Sequence, residues 1–174
     1  MSDWPMQIFA ALQRHDVKQV AYVPDGGHAA LIRAVQVAPG MRAIPLTTEE
    51  EGIAVLTGAW LGGQRGAMLM QSSGVGNCVN MFSLVAQCRT PFVALVTMRG
   101  EWGEFNPWQV PMSRATQTVI EAMGIRCSRA DEPADVAPTV ESALSMAFAG
   151  GSSNVALLGQ RLIGAKDFMK EDKQ

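Results

Sequence analysis

Three consecutive carboxylates, Glu49, Glu50 and Glu51, follow Thr47-Thr48 and precede Gly52, where a short apolar run gives way to helical periodicity. The first turn of a helix carries partial positive charge that stabilises carboxylates, so the run reads either as a helix cap or as acid groups placed above a strand end. Successive helical residues project in different directions. At most one or two of the three can therefore serve a shared purpose. A second passage from strand to helix, Met70-Gln71-Ser72-Ser73-Gly74-Val75-Gly76-Asn77, is built from small residues that let a ligand approach the backbone. It is not a P-loop, because Asn77 and Cys78 stand where a lysine is needed, and it lacks the third glycine of the dinucleotide fingerprint.

The two histidines differ in promise. His28 follows Pro24-Asp25-Gly26-Gly27 at a strand exit, where it either faces a site or caps a helix, whereas His15 sits beside Asp16 at the end of the first helix and reads as a surface or capping residue. The three cysteines, Cys78, Cys88 and Cys127, are odd in number and form no closely spaced pair of the zinc-binding kind. Reduced thiols are expected.

These residues need a frame to bring them together. Short apolar runs alternate with stretches of helical period, the pattern of strand-helix units around a parallel sheet. Strands are predicted at Gln19 to Val23, Met41 to Leu46, Ala67 to Gln71, Pro91 to Thr97, Ile125 to Ser128 and Asn154 to Leu158. Helices are predicted at Trp4 to Arg14, His28 to Val37, Glu49 to Leu61, Gly76 to Gln87, Arg114 to Met123 and Ala134 to Phe148. The expected fold class is α/β, a three-layer α/β/α arrangement with a parallel sheet of about six strands, in one domain over residues 1–165 with a tail at 166–174. Such sheets bind ligands beyond the carboxyl ends of their strands. The candidate residues fall in those loops, together with Met98 to Met112, an aperiodic stretch with two prolines and two tryptophans that reads as a long functional loop.

Composition narrows the function classes. With 14 basic and 16 acidic residues in 174, the chain has no sequence-wide basic field to draw it to a phosphate backbone, so nucleic acid is not an expected partner. No uninterrupted apolar stretch is long enough to span a membrane, and the start MSDWPMQIFAALQRHD does not read as a secretory leader. A cytoplasmic location is expected.

Taken together, PLTTEEEGIAVLTGAWLGG and AMLMQSSGVGNCVNMFSLV resemble the pyrimidine-binding domain of thiamine-diphosphate-dependent 2-oxoacid decarboxylases. The likeness is greatest to the alpha subunit of sulfopyruvate decarboxylase, with phosphonopyruvate decarboxylase next, and it runs from about Val20 to Leu158. The resemblance implies that one glutamate at this strand-helix junction hydrogen-bonds N1′ of the cofactor's aminopyrimidine and promotes its imino tautomer. Matching Gly58-Ala59-Trp60 to the family's Asp-Gly-Tyr-like triplet selects Glu50, while matching the glutamate-glycine pair of phosphonopyruvate decarboxylase selects Glu51. By the same resemblance Asp25 and His28 lie near the reacting carbon, and Gln71, Ser72, Ser73, Gly74, Gly76 and Asn77 line the cofactor or substrate cavity. Arg99 or Arg114 would pair with an anionic substrate tail, sulfonate or phosphonate.

The resemblance also implies what this chain leaves to others. The paired histidines that pyruvate decarboxylases carry ahead of the glycine turn are replaced by Met70 and Gln71, and the Gly-Asp-Gly motif with its downstream asparagine does not occur. The implied assembly is a hetero-oligomer with several copies of each chain. Its beta subunit would hold the diphosphate and the magnesium ion (Mg2+), and thiamine diphosphate would lie between the chains. A carboligase subunit, and a non-catalytic regulatory or binding protein of the same fold, are the alternatives.

Overall fold

The computed structural model describes residues 3–165, so the predicted tail, 166–174, lies outside the described residues. The chain begins with α1 (Trp4–Arg14), β1 (Val17–Tyr22), a single turn of tighter helix (Gly26–His28) and α2 (Ala29–Val37). It continues with β2 (Arg42–Pro45), α3 (Glu49–Leu61), β3 (Arg65–Gln71), α4 (Ser72–Cys78), α5 (Phe82–Cys88) and β4 (Phe92–Thr97). It closes with α6 (Gln109–Ala122), β5 (Arg126–Ala130), α7 (Pro133–Phe148), β6 (Ser153–Leu158) and α8 (Gln160–Ile163). The six strands form one sheet in the order β2-β1-β3-β4-β6-β5, and every pairing is parallel.

Side chains alternate across that sheet and build two apolar layers. Leu69 and Leu95 join Ile8, Leu12, Leu31, Val140 and Leu144 on the side of α1, α2 and α7. Met68, Met70, Ala94 and Val96 join Ile53, Val75, Phe82 and Ile120 on the side of α3 to α6. All six residues of β4 are buried, as its continuous hydrophobicity requires of a strand covered on both faces.

The helices' sides follow from the handedness of the crossovers. From β1 the chain moves outward to β2 with α2 on one face, then returns past β1 to β3 with α3 on the other, as right-handed crossovers require when the direction along the sheet reverses. That reversal opens a crevice above the carboxyl ends of β1 and β3, the topological switch point at which such sheets take their ligands.

Two sequence expectations are corrected. The predicted helix Gly76 to Gln87 is two short helices, α4 starting at Ser72 and α5 starting at Phe82; both glycines of the turn lie within α4. The helix predicted from Arg114 starts five residues earlier, at Gln109, because Pro111 falls in its first turn, where a proline's missing N–H has no partner to lose. The long loop is correspondingly shorter.

Candidate active site

Three strand ends converge at the crevice. Asp25, just past β1, has one carboxylate oxygen, Oδ2, that accepts hydrogen bonds from the Gly27 N–H (3.1 Å) and from Thr97 Oγ1 at the end of β4 (2.7 Å). Its other oxygen, Oδ1, accepts from Nε2 of Gln71, the last residue of β3, at 3.0 Å. Ser73 Oγ in turn donates to Gln71 Oε1 at 2.9 Å. The close approach needs a glycine at position 27: a Cβ there would lie 2.8 Å from Thr97 Cγ2 and 2.9 Å from Asp25 Oδ2.

Above this network lies the first turn of α3, whose three glutamates take three directions. Glu49 leans over α4 so closely that a Cβ on Gly74 would overlap its carboxylate, and Asn77 Nδ2 donates to its Oε2 at 2.8 Å. Glu51 folds back and accepts the Thr47 N–H at 2.9 Å, closing the helix start. Glu50 is exposed and makes no side-chain hydrogen bond among the described residues. A cavity of about 160 Å³ between α3 and the strand ends is lined by Val23, Pro24, Asp25, Glu49, Gln71 and Ser73.

The charges of Glu49 and Glu50 also reach Cys78. Burial first, and then these two carboxylates, push its thiol up to about 12, so Cys78 stays protonated at neutral pH and is no nucleophile. Among the described residues no group of three or more His, Cys, Asp or Glu is arranged to hold a metal ion, and no helix is long and apolar enough to cross a membrane.

Of the predicted catalytic and substrate residues, Glu50, Glu51, His28, Arg99 and Arg114 do not line the cavity; the carboxylate of α3 that does is Glu49. His28 is 1% exposed, and its Nε2–H donates to the Leu95 carbonyl at 3.1 Å behind Asp25. Arg99 is buried in the loop after β4, gripped by Glu104 through bonds of 2.7 and 2.6 Å, so its charge is already matched. Arg114 is exposed on α6 beside a different cavity, shared with Glu101, Gln117 and Arg129. Of the glycine-turn residues, Gln71, Ser73 and Gly74 border the site, while Ser72 is buried and accepts the Arg99 N–H at 3.1 Å. Gly76 and Asn77 are exposed on α4, with Asn77 reaching Glu49. Thr97, unnoticed in the sequence, carried one signal: it is the polar end of an otherwise apolar strand.

Burial of His28 has a measurable outcome. Desolvation lowers its pKa from 6.5, and this outweighs the raising effects of Asp25 and of the Leu95 and Met70 carbonyls. The folded chain therefore binds fewer protons than the unfolded one below about pH 6.5. Stability is expected to fall on acidification from there towards the folded-state pKa, with a slope approaching ~1.4 kcal/mol per pH unit. Urea titrations between pH 7.5 and 5.5 should show this slope in the native chain and not in His28→Gln; an equal slope in both would place its origin elsewhere.

The nearby loop has a built interior. Glu104 also accepts from the Gly100 and Asn106 N–H groups and from Gln160 Nε2, and Gln160 Oε1 receives the N–H groups of Glu101 and Trp102. Arg99 foremost holds the Glu104 carboxyl down to about 2. Outward from this frame stand Trp102, Phe105 and Trp108, which are 47%, 51% and 82% exposed.

No protein-family model matches the sequence. Comparison with curated proteins finds the sulfopyruvate decarboxylase subunit alpha of Methanothermobacter thermautotrophicus, 33% identical over 134 residues that cover 76% of this chain and 81% of that one. The subunit alpha of Methanocaldococcus jannaschii is 29% identical over 166 residues, covering 95% and 98%. Phosphonopyruvate decarboxylase of Streptomyces viridochromogenes is 35% identical over 130 residues, which cover 74% of this chain but only 33% of that longer protein. Among solved structures, the 2-oxoglutarate:ferredoxin oxidoreductase from Magnetococcus marinus superposes with a TM-score of 0.71 over 94% of this chain and 29% of its own, at 12% identity, a likeness of fold. With a third of the aligned residues identical to those of a curated subunit over four-fifths of that subunit's length, this chain belongs to the family of sulfopyruvate decarboxylase alpha subunits.

Proposed function

We propose that this chain is the cofactor-activating subunit of a thiamine-diphosphate-dependent decarboxylase acting on a 2-oxoacid with an anionic tail of the 3-sulfopyruvate kind. The products are the aldehyde and carbon dioxide. The observation that carries the reading is a carboxylate of the first turn of α3 placed at the crevice: Glu49 lines the cavity with Asp25, Gln71 and Ser73, whereas Glu50, the choice from register, is exposed outside that lining.

The residues present fit the pyrimidine end of the cofactor. Glu49 would accept a hydrogen bond from N1′, and the α4 wall with Ser73 and Gly74, against which its carboxylate lies, supplies a surface of small side chains beside it. When bound, the cofactor supplies the electron sink that makes loss of carbon dioxide feasible. The protein's part is local. Glu49 would hold a proton at N1′, Gln71 presents an N–H at the crevice, and the buried strand ends keep water from the base of the cavity. His28 is sealed behind Asp25 and takes no part in proton transfer in this reading.

The diphosphate and Mg2+ fall to a beta subunit. That chain would cover Glu49 and dock beside Trp102, Phe105 and Trp108, aromatic side chains of the kind that anchor interfaces, here held by a loop that needs little further ordering. A cation for the substrate's anionic tail would also come from it, since Arg99 is matched within its own loop. The alpha-subunit names of the relatives support a two-chain assembly.

The test is reconstitution. Co-expression with the beta chain, followed by addition of Mg2+ and thiamine diphosphate, should release carbon dioxide from sulfopyruvate, and the isolated chain should not. Absence of release from sulfopyruvate, phosphonopyruvate and other 2-oxoacids by the purified pair would sink the decarboxylase reading. Tight cofactor binding by this chain alone would sink the shared-site reading.

A further inference from the structure

The Asp25 network spans three strands, and its least conspicuous member is Thr97. It is 1% exposed, its hydroxyl donates to Asp25 Oδ2 at 2.7 Å, and its methyl lies where only a glycine at position 27 leaves room. Asp25 then takes Nε2 of Gln71, and Ser73 donates to Gln71 Oε1.

A carboxamide's two ends have nearly the same shape, so its orientation is set by what each end meets. Every hydrogen bond described for Asp25 is one it accepts, which turns the Gln71 nitrogen towards it, and the Ser73 hydroxyl turns the oxygen the other way. Nε2 carries two hydrogens, one of which Asp25 receives. The second has no acceptor among the described residues, and Gln71 lines the cavity together with Glu49 and Ser73.

We propose that Thr97 is a positioning residue: its hydroxyl fixes the Asp25 carboxylate and, through it, the Gln71 amide, whose remaining N–H meets an oxygen of the substrate's 2-oxo acid group. The contact with substrate rests on the decarboxylase reading above; the orienting chain from Thr97 to Gln71 does not. A misplaced polar contact at a reacting centre costs rate even when the fold is intact. Packing alone would make the Thr97 methyl the important group, and hydrogen bonding makes it the hydroxyl.

Two substitutions separate these. Thr97→Val keeps the shape and loses the hydroxyl, while Thr97→Ser keeps the hydroxyl and loses the methyl. In the reconstituted pair, Thr97→Val is expected to lower kcat roughly 10- to 100-fold, and Thr97→Ser to retain most of it, both assayed well below their melting temperatures. In the 15N-labelled chain alone, the side-chain amide signals of Gln71 should move in Thr97→Val as they do in Asp25→Asn, and stay in place in Thr97→Ser. Unmoved Gln71 signals in Thr97→Val, or a Ser variant as impaired as the Val variant, would overturn the proposal. If the wild-type pair decarboxylates nothing, the function reading fails, and the amide signals still decide whether Thr97 orients Gln71.

Discussion

Glu49→Gln is expected to lower kcat of the reconstituted pair by a factor of 10² to 10⁴, roughly what a positioned proton-transfer group contributes. Stability should change by less than about 0.5 kcal/mol, because the exposed hydrogen bond that Glu49 accepts from Asn77 Nδ2 can also be accepted by the amide oxygen of glutamine. Glu51→Gln should do the reverse. Its carboxylate closes the start of α3 on the Thr47 N–H, so weakening it is expected to cost roughly 0.5–1 kcal/mol and to leave most of the activity. Steady-state decarboxylation and urea unfolding of these variants and of Glu50→Gln side by side make the comparison. Full activity in Glu49→Gln together with loss in Glu50→Gln or Glu51→Gln would move the activating role along the turn.

The second large effect concerns the frame of the aromatic loop. The Arg99 and Glu104 side chains are 7% and 4% exposed and joined by two hydrogen bonds. Removing one member of such a pair strands the other charge in a desolvated site, which costs about 3–5 kcal/mol. Glu104→Ala is therefore expected to lower the unfolding free energy measured in urea by that amount and to speed amide exchange from residue 100 to 108. Activity of the pair should fall as well if the beta subunit docks there. The pH dependence has a definite sign. The folded Glu104 carboxyl sits at about 2 against 4.5 in the unfolded chain, so the folded state binds fewer protons between those values. Its stabilisation is complete above about pH 4.5 and disappears as the pH falls towards 2, and Glu104→Gln should lack that step. An unchanged acid limb in Glu104→Gln would show that other carboxylates govern it.

Much of the frame was legible because periodicity is a local property. α1 and α3 begin and end where their apolar spacing predicts, at Trp4–Arg14 and Glu49–Leu61, and the unbroken apolar run before Thr97 is a strand buried on both faces. Misjudged boundaries share a cause. Pro111 and the glycines of the Ser72–Cys78 turn are residues that usually interrupt helices, yet a proline in a first turn costs nothing there, and Gly74 is accommodated because the space of its missing side chain is filled by Glu49. Neither compensation can be read from the neighbouring letters.

The candidate site divides in the same way. Asp25, Gln71 and Ser73 could be placed at strand ends from the order of elements, since a parallel sheet puts every such loop on one edge. Sequence alone determined that edge, the residue types on it, and the three glutamates at the start of α3. Only the tertiary structure decided how those glutamates are divided, with Glu49 drawn over Gly74 to Asn77, Glu51 turned back to Thr47 and Glu50 left facing outward. It also decided that Arg99 is matched by Glu104, that His28 is buried against the Leu95 carbonyl, and that Thr97 holds Asp25. The physical reason is one of range: backbone periodicity acts over a few residues, whereas a side chain's direction is set by whichever hydrogen-bonding partner the folded chain brings within 3 Å or so.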